Sequence, residues 1–360
     1  MKIAIIGTRG IPNNYGGFEQ FAEYLSVGLT KYGHEVYVYS SHNHFYQKKK
    51  YNGVKIVHCY DPEYLVGTFG QFIYDLNCII HTRNKNYDII LQLGYTSSAI
   101  WNFLIPKNSL LYTNMDGIEW KRSKFSKAVQ FFLRYSENLA IKYSNYLISD
   151  SIGIKRYLSL IYNTSSKYIP YGAEINLKLN PKHLIEFNLK PYTYDILVAR
   201  IEPENNIEMI LEGYLNSQQK RRFVVVGSMN TSFGKKLFKK YQSNNILYLG
   251  FISDNSILNS LRGLSNLYFH GHSVGGTNPS LLEAMASNSL ICAHRNIFNR
   301  SILLEDAFYF NSKDRITYLI NSINRSKQTK LIDNNLNKIK NLYTWPRIIS
   351  SYNNFFNETN

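Results

Sequence analysis

The stretch His270 to Ala286, HGHSVGGTNPSLLEAMA, gathers the residue types that hold a phosphorylated ligand. Gly271, Gly275 and Gly276 let backbone approach a ligand closely. Asn278 is a candidate N-cap, and Pro279 suits the first helical position, where a missing N–H costs nothing. The helix expected from there, with Leu281, Leu282 and Met285 on its apolar face, turns free amides and a positive dipole end toward the loop, which is the chemistry of anion binding. Glu283, about one turn in, is spaced to take a hydroxylated group such as a ribose. An ordinary strand-to-helix connection explains the same residues equally well. A second stretch, VARIEPENNIEMILEGY from Val198 to Tyr214, sets Arg200 just past a buried strand, where a guanidinium can clamp a diphosphate by paired hydrogen bonds. Its competing role is a solvated salt bridge to Glu202 or Glu204.

The first glycine-rich loop, GTRGIPNNYGGFEQF, places Gly7, Gly10, Gly16 and Gly17 between a strand and a helix. It is neither G-x-G-x-x-G nor a P-loop. A nicotinamide enzyme also needs an acidic residue after the second strand for the ribose, and Tyr39-Ser40-Ser41-His42 supplies none, which weakens that reading. What remains is a loop whose amides at Gly16 and Gly17 can approach a ligand. Asp116, just after another expected strand, is a candidate to contact an acceptor hydroxyl or a developing cation; a turn-capping Asp before Gly117 is the alternative. His270 and His272 have no cysteine or carboxylate beside them, so packing or ligand contact suits them better than metal ligation. No Asp-x-Asp pair occurs, so a metal-bridged diphosphate has no ligands.

These residues need elements to hold them, and the apolar pattern supplies two runs of alternating strands and helices, the signature of parallel sheets covered on both faces. In the first run, strands are expected at Ile3 to Ile6, Val36 to Tyr39, Val54 to Val57, Ile89 to Leu93, Leu110 to Thr113 and Tyr146 to Ile148. A helix carries Phe18, Phe21, Ala22, Leu25 and Leu29 on one face, and others fall near Phe69 to Thr82, Ser126 to Tyr143 and Gly153 to Ile161. A polar stretch from Ile175 to Tyr192, with Pro181 and Pro191, reads as the connection. The second run has strands at Ile196 to Ala199, Phe223 to Val226, Ile246 to Leu249, Leu267 to Phe269 and Leu290 to Cys292. Its helices fall near Ile207 to Leu215, Phe233 to Tyr241, Asn255 to Leu261 and Ser280 to Ala286. The tail is expected to be helical from Ile316, with Pro346 as a break.

With 360 residues, 44% of them hydrophobic, the chain can bury two cores. Its start reads as a first strand and not as a secretory signal. No window reaches the roughly 20 apolar residues of a membrane span. Cys59, Cys78 and Cys292 form no CxxC pair, so neither a disulfide framework nor a zinc cage is indicated, and the cytoplasm is the default compartment. A formal charge of +16 implies an anionic partner, although a bias toward Lys and Asn codons would raise it too. No helix-turn-helix, zinc-finger or RNA-binding signature accompanies the charge, which argues against nucleic acid. Trp120 to Arg134, WKRSKFSKAVQFFLR, and His42 to Tyr51, HNHFYQKKKY, interleave cations with aromatics and suit an anionic membrane surface. A solvated helix face with Phe131 and Phe132 in the core is the alternative for the first.

Taken together, these stretches resemble the retaining GT-B glycosyltransferases of family 4 over nearly the whole chain. GTRGIPNNYGGFEQFAEYL and NMDGIEWKRSKFS, Asn114 to Ser126, are similar more specifically to the N-terminal domain of bacterial rhamnosyltransferases that extend surface polysaccharides. The resemblance implies an α/β GT-B architecture: two facing Rossmann-like domains, an acceptor domain over 1–175 and a nucleotide-sugar domain over 176–342, with a C-terminal helix over 343–360 crossing back to the first. It implies Arg200 on the donor diphosphate, Glu283 on the ribose and the Ile252 backbone on the base. Gly16, Gly17, Asn205, His272, Gly275, Gly276, Thr277, Asn278 and Ser280 complete the expected donor contacts. The family's first glutamate falls at Gly275 and its lysine at Asn205; both departures agree with the rhamnosyltransferase pattern, and they leave Arg200 and the amides of Thr277, Asn278 and Ser280 to do more.

The implied reaction is metal-independent front-face transfer with retention and no cofactor. Asp116 and Arg200 are its expected catalytic residues. The expected donor is dTDP-rhamnose and the acceptor a polyprenyl-diphosphate-linked saccharide, reached from the inner face of the plasma membrane by a peripheral cytoplasmic enzyme. A UDP- or GDP-linked sugar is the nearest alternative. A non-catalytic basic binding protein is the reading outside enzymology.

Overall fold

The structure, a computed structural model, describes residues 1–14, 16–175 and 177–359. Tyr15 of the first loop, Asn176 at the expected start of the second domain and Asn360 at the end of the expected tail lie outside the described residues. In chain order the first elements are β1 (Lys2–Ile6), α1 (Gly17–Lys31), β2 (Glu35–Ser41), β3 (Lys50–Tyr51), β4 (Val54–Cys59), α2 (Glu63–Val66), α3 (Gly70–Thr82), β5 (Ile89–Leu93), β6 (Leu110–Asn114), α4 (Lys127–Tyr143), β7 (Tyr146–Ser149), α5 (Ile152–Tyr162) and β8 (Lys167–Tyr168). Then follow β9 (Tyr194–Val198), α6 (Ile207–Leu215), β10 (Arg222–Val226), α7 (Ser232–Lys240), β11 (Ile246–Gly250), α8 (Asn255–Gly263), β12 (Leu267–His270), α9 (Pro279–Ala286), β13 (Ile291–His294), α10 (Ile297–Leu303), β14 (Phe308–Phe310), α11 (Lys313–Ser322), α12 (Thr329–Leu342) and α13 (Trp345–Thr359). Contacts divide the chain into two units: Met1–Lys121, Phe125–Gly172 and Trp345–Asn360 in the first, Arg122–Lys124 and Ala173–Thr344 in the second.

In the first unit the strand order is β3-β4-β2-β1-β5-β6-β7-β8. Every pairing is parallel except the short β3 on β4. The central strands KIAII and IILQL are almost wholly buried, as strands covered on both faces must be. Helix α13 belongs to this unit because its apolar face is spent here. Tyr24 stacks on Trp345 at 4.4 Å, Tyr352 is fully buried against Phe21, and Gly28 leaves room for Ile349, whose side chain a Cβ would meet at 2.4 Å. The helical tail breaks where Pro346 led us to expect it, with α12 ending at Leu342 and α13 starting at Trp345. Pro346 occupies the first turn, whose amide would go unbonded anyway.

In the second unit the order is β11-β10-β9-β12-β13-β14, all parallel. Leu197, Phe223, Val225, Phe269, Cys292 and Phe310 form one core with α6 and α11. Strand β14 was not anticipated. Its three residues are too few for a pattern of period two to register. In α4, Phe132 touches Phe72, whereas Phe131 is 77% exposed and is no core residue. Among the described residues no helix is long and apolar enough to cross a membrane.

Candidate functional site

Where strand order reverses in a parallel sheet, loops leaving neighbouring C-terminal ends diverge and open a crevice. In the second unit the reversal lies between β9 and β12, so the loops are 199–206 and 271–278. They are sewn together by hydrogen bonds to backbone carbonyls. The Ser273 amide and hydroxyl both donate to Glu204 O, at 3.1 and 2.8 Å, and Asn206 Nδ2 donates to Gly271 O at 2.8 Å. A Cβ on Gly271 would lie 2.0 Å from Asn205 O, an approach only glycine permits.

Arg200 is exposed, and its guanidinium makes no hydrogen bond or ion pair among the described residues. Its carbonyl accepts from Asn205 Nδ2 at 2.7 Å, so the buried Asn205 fixes the turn that carries the arginine. The alternative, a salt bridge of Arg200 to Glu202 or Glu204, is not made among the described residues. Glu202 pairs with Lys124 at 3.0 Å and Glu204 with Arg122 at 3.5 Å. Burial acts to raise the Glu202 carboxyl, but Arg200 and Lys124 hold it below the usual value.

Asn278 caps α9, its Oδ1 accepting from Ser280 N at 2.9 Å. The Ser280 amide, expected to face a diphosphate, is thereby consumed, and its hydroxyl is shared between Tyr268 Oη at 2.9 Å and Arg262 at 3.2 Å. The Asn278 amide stays unbonded among the described residues, Thr277 is buried, and Gly275 has φ +136° with open space where a Cβ would stand. Gly275, Gly276 and Asn278 line a small cavity with His272, Val274, Phe298 and Asn299.

The Glu283 Oε2 is held by the buried Arg262 at 2.7 Å, leaving Oε1 without a partner among the described residues. Sequence reading missed Arg262, because nothing in SLRGLSN signals a partner on another helix.

His270 is fully buried and stacks on His272 with ring centroids 4.3 Å apart. Neither ring nitrogen of His270, nor Nδ1 of His272, has a partner among the described residues. Burial, then His272 and Arg262, push His270 well below the usual range. Burial, then Arg200 and Arg122, push His272 down to about 3. Both rings are neutral at neutral pH, so the positive charge here comes from arginines, Arg200 among them. Asn296 and Asn299 donate to His272 O at 2.9 and 3.0 Å and tie the loop to α10. Ile252 follows β11, half-buried, with a backbone that makes no hydrogen bond among the described residues.

Gly16, Gly17 and Asp116 belong to the first unit, whose order reverses between β1 and β5. The loop after β1 folds back onto α1, with the buried Glu19 accepting from Arg9 N at 2.9 Å. Gly16 is the N-cap of α1 and, having no side chain, supplies no side-chain cap to the helix's first amides. Asp116 has φ +41°, left-handed backbone that costs a non-glycine residue energy. Its amide donates to Asn114 Oδ1 at 3.0 Å, and the buried Tyr171 donates to its Oδ1 at 3.4 Å. Asn114 thus caps the turn at Asp116.

Residues 1–174 match the family model described as a domain of unknown function, DUF1972. No curated protein matches the chain. Among solved structures, sucrose-phosphate synthase from Thermosynechococcus elongatus is similar at TM-score 0.80 and 16% identity, over 99% of this chain and 98% of that one. Anabaena HepE in complex with UDP and glucose is similar at TM-score 0.76 and 15% identity, over 99% and 100%. The E. coli trehalose-6-phosphate protein bound with UDP-2-fluoro glucose is similar at TM-score 0.73 and 11% identity, over 99% and 98%. The chain, built on two parallel-sheet units, therefore has the GT-B fold of these glycosyltransferases, with a DUF1972 match across its first unit.

Proposed function

We propose that this protein is a glycosyltransferase that takes a sugar from a nucleotide donor, specifically rhamnose from dTDP-rhamnose, and adds it to a polyprenyl-diphosphate-linked saccharide. The observation that carries this reading is Arg200: a solvent-facing guanidinium with no partner among the described residues, set beside the glycine loop that precedes α9. An unpaired arginine at a strand-order reversal is matched to a diphosphate, which it binds by paired, charge-assisted hydrogen bonds. The free Asn278 amide and the dipole of α9 add to it. Glu283 Oε1 takes a ribose hydroxyl, and the Ile252 backbone takes the base.

In the reaction, the acceptor oxygen forms a bond to the anomeric carbon on the face from which the diphosphate leaves. The bond from that carbon to the β-phosphate oxygen breaks, its electron pair stays on phosphate, and the acceptor proton passes to the same phosphate. Arg200 stabilises the charge that develops there. Asp116 orients the acceptor hydroxyl or the developing cation. No metal or cofactor enters. The enzyme works as a peripheral protein on the inner face of the plasma membrane, drawn there by the cations of Trp120 to Arg134 and His42 to Tyr51.

A second donor is favoured by a specific observation: the similar HepE and E. coli structures hold UDP with glucose and UDP-2-fluoro glucose. Ligand-induced thermal shift separates the two, since a ligand stabilises only the state that binds it. The expected result is a larger shift with dTDP-rhamnose than with UDP-glucose or GDP-mannose, and Arg200→Ala abolishes both shift and transfer. A fully active Arg200→Ala enzyme would overturn the proposal, and a folded protein that turns over no donor would leave a basic binding protein in its place.

A further inference from the structure

Unit one exposes an apolar run that its own core does not explain. From Tyr64 through Phe69, YLVGTF, six consecutive residues are exposed, with Leu65 and Phe69 each 65% accessible. Soluble surfaces carry single exposed apolar side chains freely, but contiguous ones mark an interaction surface. The run is continuous with others. Phe69 stacks on Phe72 at 5.7 Å, and Phe72 meets Phe132 of α4 at 5.5 Å, beside the exposed Phe131. Phe103 is exposed on the 3-10 turn Ala99–Leu104, which packs against α4, and Tyr64 lies 6.0 Å from His42.

These segments follow the C-terminal ends of β2, β4, β5 and β6, and the strands are parallel, so they share one edge of the unit. Helix α4 is anchored from beneath. The buried Glu137 accepts from Tyr95, Tyr157 and Tyr162 at 3.0, 2.7 and 2.5 Å, which turns the opposite face outward.

The charge around the run identifies the occupant. Lys48, Lys49, Lys127 and Arg134 are exposed on the flanking segments. Asp61 is buried and Glu63 is engaged by two of the Arg9 guanidinium nitrogens at 3.0 and 2.8 Å, so residues 42–51, 60–69, 95–105 and 120–136 offer no exposed carboxylate. A second copy would set these cations against its own, which disfavours self-association. Apolar side chains ringed by cations suit a leaflet that is both anionic and oily.

We propose that Tyr64–Phe69, with Phe103 and Phe131, inserts into the interfacial region of a bilayer containing anionic lipid. This deepens the lipid-linked acceptor reading by adding insertion to electrostatic attraction. Electrostatics alone fades as salt shortens the screening length, whereas buried apolar surface does not.

The test is sedimentation with vesicles of phosphatidylcholine, with and without phosphatidylglycerol, at low and high salt. The expected result is binding to the anionic vesicles that persists in part at high salt. It should fall by roughly 100-fold in Leu65→Asp/Phe69→Asp, since two apolar side chains lose their burial. Phe131→Asp should weaken it independently, and Ile185→Asp, equally exposed but in the second unit, should leave it unchanged. Unchanged binding by both patch variants, no vesicle binding by the native protein, or a native dimer that the patch variants dissolve would each overturn the proposal. Donor-induced thermal shift, run on the same proteins, is expected to survive in the patch variants. Its absence from the native protein would count against the glycosyltransferase reading, not against the patch.

Discussion

The Arg262–Glu283 pair allows an asymmetric prediction. The contact is 2.7 Å, but the partners differ in burial: the Arg262 side chain is 2% exposed and that of Glu283 is 28%. Breaking a buried pair typically costs about 3–5 kcal/mol, because the survivor keeps a charge without compensation. Arg262→Met leaves a carboxylate that water reaches, so the loss is expected at the low end, about 2–3 kcal/mol after screening. Glu283→Gln leaves a sealed guanidinium with neutral acceptors, the glutamine amide oxygen, Ser280 Oγ and Asn259 Oδ1, the last two at 3.2 Å, but no countercharge, and is expected to cost about 3–5 kcal/mol. Removing the smaller-looking surface partner should therefore do more damage. The double variant should cost less than the sum by about 1–3 kcal/mol. Urea denaturation at constant m measures all three. Arg262→Met as costly as Glu283→Gln, or single effects that add, would refute the reasoning. Donor affinity is the functional counterpart: on the proposed ribose contact of Glu283, which needs Arg262 to hold Oε2, both single variants should weaken it.

Acid should destabilise the protein through its histidines. The folded His272 sits at about 3 against an ordinary 6.5, so the unfolded chain takes up the proton first. Stability is full above about pH 6.5 and falls by up to about 1.4 kcal/mol per pH unit as pH drops from there toward 3. His270 acts with the same sign. His272→Gln should reduce the loss between pH 6.5 and 5 by about 2 kcal/mol in urea titrations at the two values, and an unaltered slope would contradict the neutral, buried ring. Asp116→Gly should separate backbone from chemistry. Glycine accepts φ +41°, which relieves backbone strain by up to about 1 kcal/mol, but the buried Tyr171 hydroxyl loses its acceptor at a cost of about 1–3 kcal/mol, so the fold should survive with a modest net loss while sugar transfer disappears. A variant that transfers at the native rate would return Asp116 to a purely structural role.

The alternation of buried strands and amphipathic helices was legible because both faces of each parallel strand are covered, which makes KIAII and IILQL continuous apolar runs. The N-cap of α9 was legible for a similarly local reason: Asn278 and Pro279 answer a requirement within one turn. Short edge strands such as β14 left no such trace.

By itself, then, the sequence determined the longer strands and helices and which loops carry glycine, arginine and a capping asparagine, because periodicity and capping are satisfied by near neighbours. Tertiary structure alone decided that Gly271 touches Asn205, that Arg262 holds Glu283, that Lys124 and Arg122 take the carboxylates offered to Arg200, and that Phe131 faces water. Those outcomes depend on strand order and on which charge reaches which partner first in space. Spacing along the chain carries no record of either.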